Sequence, residues 1–369
     1  MPALTKQTYC NIQYFILPLL EEEIGVLSDK GREFASLLEL VRPGDHLRSS
    51  AALTGRPCHG RAQILNALFL KSVENIPTTK GLIGIMRSDS SLRRLCGWDF
   101  ASDVPSEATF SRAFAEFSAS GVLDRIHDAL IKNAYKEKLV GHISHDSTSI
   151  ENRERPAAKK MEKGAKVKKK RGRKSKAEKE AMKAEPPAET RTERQSRQTL
   201  DENVAELPKD CDWGGKRNSK GVTNFWSGYK LHLSVADGGV PVSALLTSAS
   251  LHDSQAVIPM MQKCAGRVTS LYDLCDAAYD TADVKGFSIG LGHVPVIDAN
   301  RRQMADKPEM DFAKQERYCE RSTVERCNSD LKDNYGARFV RFRGWQKVFC
   351  HLMLGVVAVA AKQLFNMLC

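Results

Sequence analysis

The chain has 369 residues, with 56 Lys and Arg against 45 Asp and Glu and a formal net charge of +11. That length exceeds one typical core, so two domains, or one large domain with appendages, are expected. The charge favours a polyanionic partner, nucleic acid or an anionic membrane surface. The membrane alternative is disfavoured, because the best apolar stretch, 348–364, contains His351 and Lys362 and is short of a full span. It reads as a buried terminal helix. An apolar run at 14–20 holds Pro18, lacks a basic lead and precedes three glutamates, unlike a signal peptide, so a cytoplasmic location is expected. The ten cysteines are scattered singly, without a C-x2-C pair, and read as reduced core thiols rather than a disulfide framework or a zinc site.

From the start to residue 138 the pattern is helical, with apolar residues at three-to-four spacing in GRAQILNALFLKSV and GVLDRIHDALIKNAY. Within it, SSLRRLCGW and SEATFSRAFAEF are spaced as a helix-turn-helix with Ser106 as N-cap. Phe110, Phe114 and Phe117 equally make the second helix a packing helix with an i, i+4, i+7 core stripe. At about 139 the pattern changes to a strand, LVGHISHDS, ending at Asp146. The run 157–185 then carries 13 Lys and Arg against 4 acidic residues and almost nothing apolar. It reads as a mobile basic insertion, placed at about 152–205. Its centre is Lys168, Lys169, Lys170, Arg171, Gly172, Arg173 and Lys174. These cations suit DNA phosphates, and Arg171-Gly172-Arg173 resembles the centre of a minor-groove hook, with Lys174 where such a hook has proline.

Beyond the insertion, Trp213-Gly214-Gly215 reads as a turn, TNFWSGYKLHLSVA and PVSALLTSAS as a hairpin, and RVTSLYDLC as a strand leading to Asp276. Helices are expected over about 253–264 and from near Tyr279, with HVPVID a further strand. Asp311 is placed to cap the next helix and Gly336 to end it in a left-handed conformation. In that helix, YCERSTVERCNSDLK spaces Tyr318, Arg321, Glu325 and Lys332 by three, four and seven, within a roughly 60° arc about 21 Å long. Val324, Cys327 and Leu331 form an adjacent apolar face for docking on the sheet.

Those four residues spell Y-x2-R-x3-E-x6-K, and with them the chain resembles the DDE-type insertion-sequence transposases of bacteria that carry the YREK signature. Asp146-Ser147-Thr148 matches the family's first strand-end Asp, and Asp276 in LYDLCDAAYD its second. GYKLHL and ASLHDS extend the likeness. The resemblance implies an α/β fold whose catalytic core is ribonuclease H-like, a mixed sheet flanked by helices, over 139–369. The α-helical domain over 1–138 is expected to bind DNA. It also implies that Asp146, Asp276 and Glu325 are catalytic and hold Mg²⁺, with Mn²⁺ as a substitute, as their all-oxygen donor set suits. Arg321 and Lys332 are then expected on DNA phosphates and Tyr318 on the DNA end, although a packed tyrosine is an equal reading. Asp273 and Asp280 compete with Asp276, which ends the apolar strand, while Asp280 suits a helix cap. His252 and Asp253 read either as neighbours of the site or as a cap. Trp226 reads as core, and Trp213 as a stacking surface.

The function implied is binding of terminal inverted repeats, metal-assisted strand cleavage at element ends and transfer of 3′ hydroxyls to target DNA. A homodimer on double-stranded DNA near the nucleoid, with no membrane partner, is the expected assembly. The alternatives are a non-catalytic DNA-binding descendant and a Mg²⁺-dependent nuclease of the same fold.

Overall fold

The computed structural model describes residues 4–47, 59–156, 189–217, 221–300 and 308–368. The apolar run near the start forms α1 (Lys6–Asn11) and α2 (Leu17–Ile24), joined by a π-turn over Ile12–Ile16. Pro18 has no backbone N–H to donate, and the wider turn beside it accommodates the missing bond. Then come α3 (Asp29–Val41), α4 (Arg61–Val73), α5 (Thr79–Ser88), α6 (Ser90–Cys96), α7 (Glu107–Ser120) and α8 (Val122–Ala134). On α7, Phe110, Phe114 and Phe117 are all at most 3% exposed, so that face is committed to packing. Ser106 occupies the N-cap position, but its hydroxyl meets Thr109 Oγ1 at 3.3 Å instead of capping the backbone.

The sheet begins with β1 (Leu139–Asn152). Residues 168–174, the heart of the basic run, lie outside the described residues. The boundary expected for the insertion is too wide, because the segment 190–206 folds as α9 (Arg191–Gln195) and α10 (Leu200–Glu206). Each has a capping box, Thr190 with Glu193 and Thr199 with Glu202, in which side chain and backbone satisfy each other's orphan groups. Asn203 and Gln195 then tie these helices to each other and to the following helix, through Asn203 Nδ2 to Gln195 O and to Gln262 Oε1, both 2.9 Å.

Next come β2 (Asp212–Arg217), β3 (Thr223–Ala236), β4 (Val240–Ser248), α11 (Val257–Ala265) and β5 (Thr269–Cys275). They are followed by α12 (Ala282–Gly290), β6 (Val294–Ile297), α13 (Phe312–Tyr318), α14 (Ser322–Asn334), β7 (Phe339–Val340) and α15 (Trp345–Met367). Trp213-Gly214-Gly215 is not a turn but part of β2, where Gly214 faces Trp226 and Gly215 faces Phe225 on β3. A Cβ on Gly214 would lie 2.4 Å from the Trp226 ring, so the glycine makes room for the indole to lie across the strand. The helix expected from Asp253 is a 3₁₀ turn over Asp253–Gln255 before α11, and that expected near Tyr279 is a 3₁₀ turn over Ala277–Tyr279 before α12.

The strands order as β2, β3, β1, β5, β6, with β4 also on β3 and β7 also on β1. β3 is antiparallel to β1, β2 and β4, while β5, β6 and β7 join in parallel. One hydrophobic core runs from Phe34 and Leu68 in the helical part through Ile143 and Leu233 in the sheet to Val356 in α15. The 23-residue α15 is the described helix long and apolar enough to cross a membrane, and 78% of its most apolar window is buried in this core.

Candidate functional site

Parallel pairing places Ser144 of β1 beside Leu274 of β5. The ladder ends there, and two residues further along each chain Asp146 and Asp276 come near enough for the charge of Asp276 to act on Asp146. Asp276 follows the carboxyl end of β5, whereas Asp146 lies in the middle of β1, which does not end there as expected but runs on to Asn152, held beyond Asp146 by its pairing with β3. Asp276 leaves β5 as the N-cap of the 3₁₀ turn, accepting from Ala278 N at 2.8 Å. Asp146 accepts from Asn328 Nδ2 of α14 at 3.1 Å. Burial raises its pKa to about 6, with the neighbouring Asp276 adding to the rise against the pull of Lys216 and Arg321.

The third acid comes from the helical stripe, which is not one continuous α-helix. A 3₁₀ turn over Cys319–Arg321 separates α13 from α14, and the Ser144 hydroxyl of β1 donates to Glu320 O at 3.4 Å within it. Asp311 precedes α13 without a side-chain cap bond. Val324, Cys327 and Leu331 are buried, at most 4% exposed, so α14 docks by the expected face. On the other face Arg321 is ion-paired with Glu325, its guanidinium lies 5.7 Å from the Tyr318 ring, and Lys332 donates to Ser149 Oγ of β1 at 3.3 Å. Gly336 ends the segment at φ +77°, the left-handed residue expected.

Arg321 is the centre of this arrangement. Burial opposes its charge, but Tyr318, Glu325, Asp146 and Asp276 together outweigh burial and raise its pKa. Glu325 thus pairs with this guanidinium directly, while Asp146 and Asp276 act on its charge at longer range. The three acids do not converge on a common point, since among the described residues no group of three His, Cys, Asp or Glu is placed to hold one ion. Glu325, 55% exposed, faces Arg321 instead. The donor chemistry still suits a hard divalent cation: three carboxylates, no soft ligand, and a buried Asp146 carboxyl whose charge calls for a positive neighbour.

The competing acids are otherwise engaged. Asp273 is buried and accepts from Ser288 Oγ at 2.6 Å, with His293 Nδ1 at 3.0 Å and His145 Nε2 at 3.2 Å. Burial pushes its pKa up, and the bonds from His145, His293 and Ser288 bring it far below the usual range. His145 Nδ1 meets Ser234 Oγ at 2.9 Å, which accepts from Ser243 Oγ at 2.8 Å. This polar chain through β4, β3, β1 and β5 was missed in the sequence. Its signal is strand alternation, which turns His145 away from the face that carries Asp146. Asp280 holds Asn300 N at 2.8 Å and Lys285 at 2.6 Å, and Thr281, not Asp280, caps α12.

At the far side of the strand end, His252 and not Asp253 is the N-cap of the Asp253–Gln255 turn. Asp253 instead meets Lys230 Nζ at 2.9 Å and bonds the Ser147 side chain next to Asp146. Burial pushes Asp253 upward, and His232, Lys230 and Ser147 together reverse that and lower its pKa. Trp226 is buried with its indole N–H on Tyr229 O at 3.2 Å, whereas Trp213 is 59% exposed.

Residues 192–360 match a family model described as the transposase DDE domain, and residues 21–116 match the transposase domain (DUF772). Both matches are to transposases, and together they support a DDE-type transposase. The first match contains Asp276 and Glu325 but begins after β1, so Asp146 rests on its position in the sheet. No curated protein and no solved structure matches the chain.

Asp146 makes stability depend on pH. Its native pKa, about 6, lies above the ordinary value of 3.8, so the folded state holds the extra proton between these values and stability falls as pH rises through that window. Asp146→Asn is expected to raise unfolding free energy at pH 7 by about 1–3 kcal/mol. Urea denaturation at pH 7 and pH 4.5 checks this, with the gain expected at pH 7 and mostly absent at pH 4.5.

Proposed function

We propose that the chain is a transposase that binds the terminal inverted repeats of its own element, cuts the strand ends and joins the 3′ hydroxyls to target DNA. The observation that carries this reading is that Asp146 on β1, Asp276 just after β5 and Glu325 on α14 all lie within electrostatic reach of Arg321, with Glu325 paired to it. A mixed sheet in which β3 runs antiparallel to β1, β2 and β4 while β5, β6 and β7 join in parallel, with the acid-bearing helix α14 packed on β1 and β3, supports a ribonuclease H-like core. Asp146, Asp276 and Glu325 would hold divalent ions, Mg²⁺ by their hard oxygen donors. Held there, divalent ions would supply charge neutralisation at the attacking and leaving oxygens and acidify the attacking water or hydroxyl.

The chain's own residues supply the rest. Arg321, released from Glu325, and Lys332 neutralise phosphates flanking the cut, and Tyr318 presents its ring to the DNA end. Asn328 orients Asp146, and Asp253 steadies Ser147 beside it. The basic residues Lys168, Lys169, Lys170, Arg171, Arg173 and Lys174 add non-specific phosphate affinity. Two copies bring two element ends together, so a homodimer on DNA at the bacterial nucleoid is the functional form.

Labelled inverted-repeat duplex incubated with the protein and Mg²⁺ is expected to be cut, EDTA to prevent it, and cut strands to be recovered joined into a plasmid. Cutting without joining would favour a nuclease, and binding with neither a non-catalytic descendant.

A further inference from the structure

A pocket of about 250 Å³ lies where the end of α4 meets the C-terminal turn of α14 and the segment around β7. Its lining includes Lys71, Lys332, Arg338 and Arg341, with Asp333 the carboxylate among them. Asp333 is ion-paired with Arg338, which leaves the other three cations facing the cavity without a lining acid to balance them. Lys71 is the unusual member. It is only 5% exposed, its Nζ lies 5.8 Å from the centre of the Phe342 ring, and among the described residues no acid is ion-paired with it. Burial and the nearby Arg341 lower its pKa to about 8. A lysine buried at this depth without a counter-charge is destabilising unless an anion completes it.

The pocket is held open by bonds that do not involve the cations. Asn75 Nδ2 donates to Asp333 O at 2.8 Å and Ser72 Oγ to Tyr335 O at 3.4 Å, fastening α4 to the end of α14. Asn75 is itself left-handed, at φ +51°, a conformation that asparagine tolerates and that this bond fixes. His351 on the floor meets Gly336 O at 3.1 Å, and burial followed by the Lys71 charge lowers its pKa to about 3, so it adds no positive charge. Lys332 links the pocket to the candidate site, since it also donates to Ser149 on the strand that carries Asp146.

We propose that this junction is a phosphate-binding site, with Lys71 and Arg341 as its dedicated ligands, that seats one phosphate of the DNA strand beside the cut. The DNA source rests on the transposase reading; the phosphate chemistry rests on the pocket alone. A tetrahedral dianion or a diester phosphate brings charge-assisted bonds to Lys71 and to the fork of Arg341, while Phe339, Phe342 and Pro77 wall the cavity with apolar surface.

The test is titration calorimetry with inorganic phosphate, without divalent metal, at constant ionic strength. The wild-type chain is expected to bind at millimolar concentration, and Lys71→Met and Arg341→Met each to bind about tenfold more weakly. Lys71→Met removes a buried charge and should keep or raise the unfolding midpoint; the exposed Arg341 provides the second variant should that one misfold. Competition then identifies the source. Displacement of phosphate by a nicked duplex bearing a 5′-phosphate, but not by a continuous one, assigns a strand end; displacement by both assigns an internal backbone phosphate. No phosphate binding up to tens of millimolar, equal affinity in both variants, or displacement by neither DNA would overturn the proposal. Because no cutting is measured, failure here is separate from failure of the catalytic reading.

Discussion

Glu325→Gln is expected to lower Mg²⁺-dependent cleavage of an inverted-repeat duplex by about 10³-fold or more, while changing the dissociation constant for that duplex by less than about threefold. The amide keeps the size and place of the carboxylate but loses the anionic charge that a divalent cation requires. A loss of that size corresponds to about 4 kcal/mol of transition-state stabilisation, the scale expected when a metal ligand is removed. Glu325 is half-exposed and its partner in the fold is Arg321, four residues earlier. Exposed i, i+4 pairs contribute only about 0.3–0.5 kcal/mol, so the variant should fold normally. Single-turnover cleavage and DNA binding measured side by side separate the outcomes. Equal loss of both would make Glu325 a structural brace for Arg321.

A second large effect is expected at Asp273, which has no place in the chemistry. Asp273→Ala should destabilise the fold by about 3–5 kcal/mol at pH 7, because it leaves His145, Ser288 and His293 facing a buried gap. All three lie within 3.2 Å of its carboxylate, and Asp273 is 2% exposed. The depressed pKa sets the direction with pH. Its contribution is present above about 3.8, the ordinary carboxylate value, and is lost as pH falls through the lower folded value. Urea unfolding at pH 7 and pH 3 checks both halves, and the penalty of Asp273→Ala should shrink at the lower pH. An unchanged midpoint at pH 7 would mean that the chain of polar groups through the sheet holds nothing together.

What the sequence disclosed depended on how local each signal was. The stripe Tyr318, Arg321, Glu325 and Lys332 holds only in part, since a 3₁₀ turn separates Tyr318 from Glu325, while the Val324, Cys327 and Leu331 face and the glycine at 336 obey short-range helical rules and hold. The break between α13 and α14 does not obey them, because Ser144 of β1, far away in sequence, bonds the Glu320 carbonyl. β2 was hidden for a similar reason. Two adjacent glycines signal a turn, and only the rings of Trp226 and Phe225 across the ladder show why a strand needs them there. The helices α9 and α10 were obscured by the charge of the preceding run, although TRTE and TLDE are capping boxes that a closer reading detects. Asp276 was legible as following a strand end, but Asp146 was not, because β1 continues six residues past it to Asn152 along its partner β3, a long-range pairing that the local pattern does not show. The role of Lys71 was not legible, because nothing near it in sequence indicates that a lysine in an apolar helix ends beside Arg341 and Phe342.

Asp146, Asp276 and Glu325 are expected to gather around divalent ions when DNA is bound. A crystal of the protein with inverted-repeat DNA and Mn²⁺, phased on the manganese anomalous signal, tests it most directly. The account predicts manganese about 2.0–2.4 Å from oxygens of all three residues, with the Arg321–Glu325 ion pair opened and Arg321 on a phosphate. Manganese bound while Glu325 stays on Arg321, or seated away from Asp146 and Asp276, would contradict it.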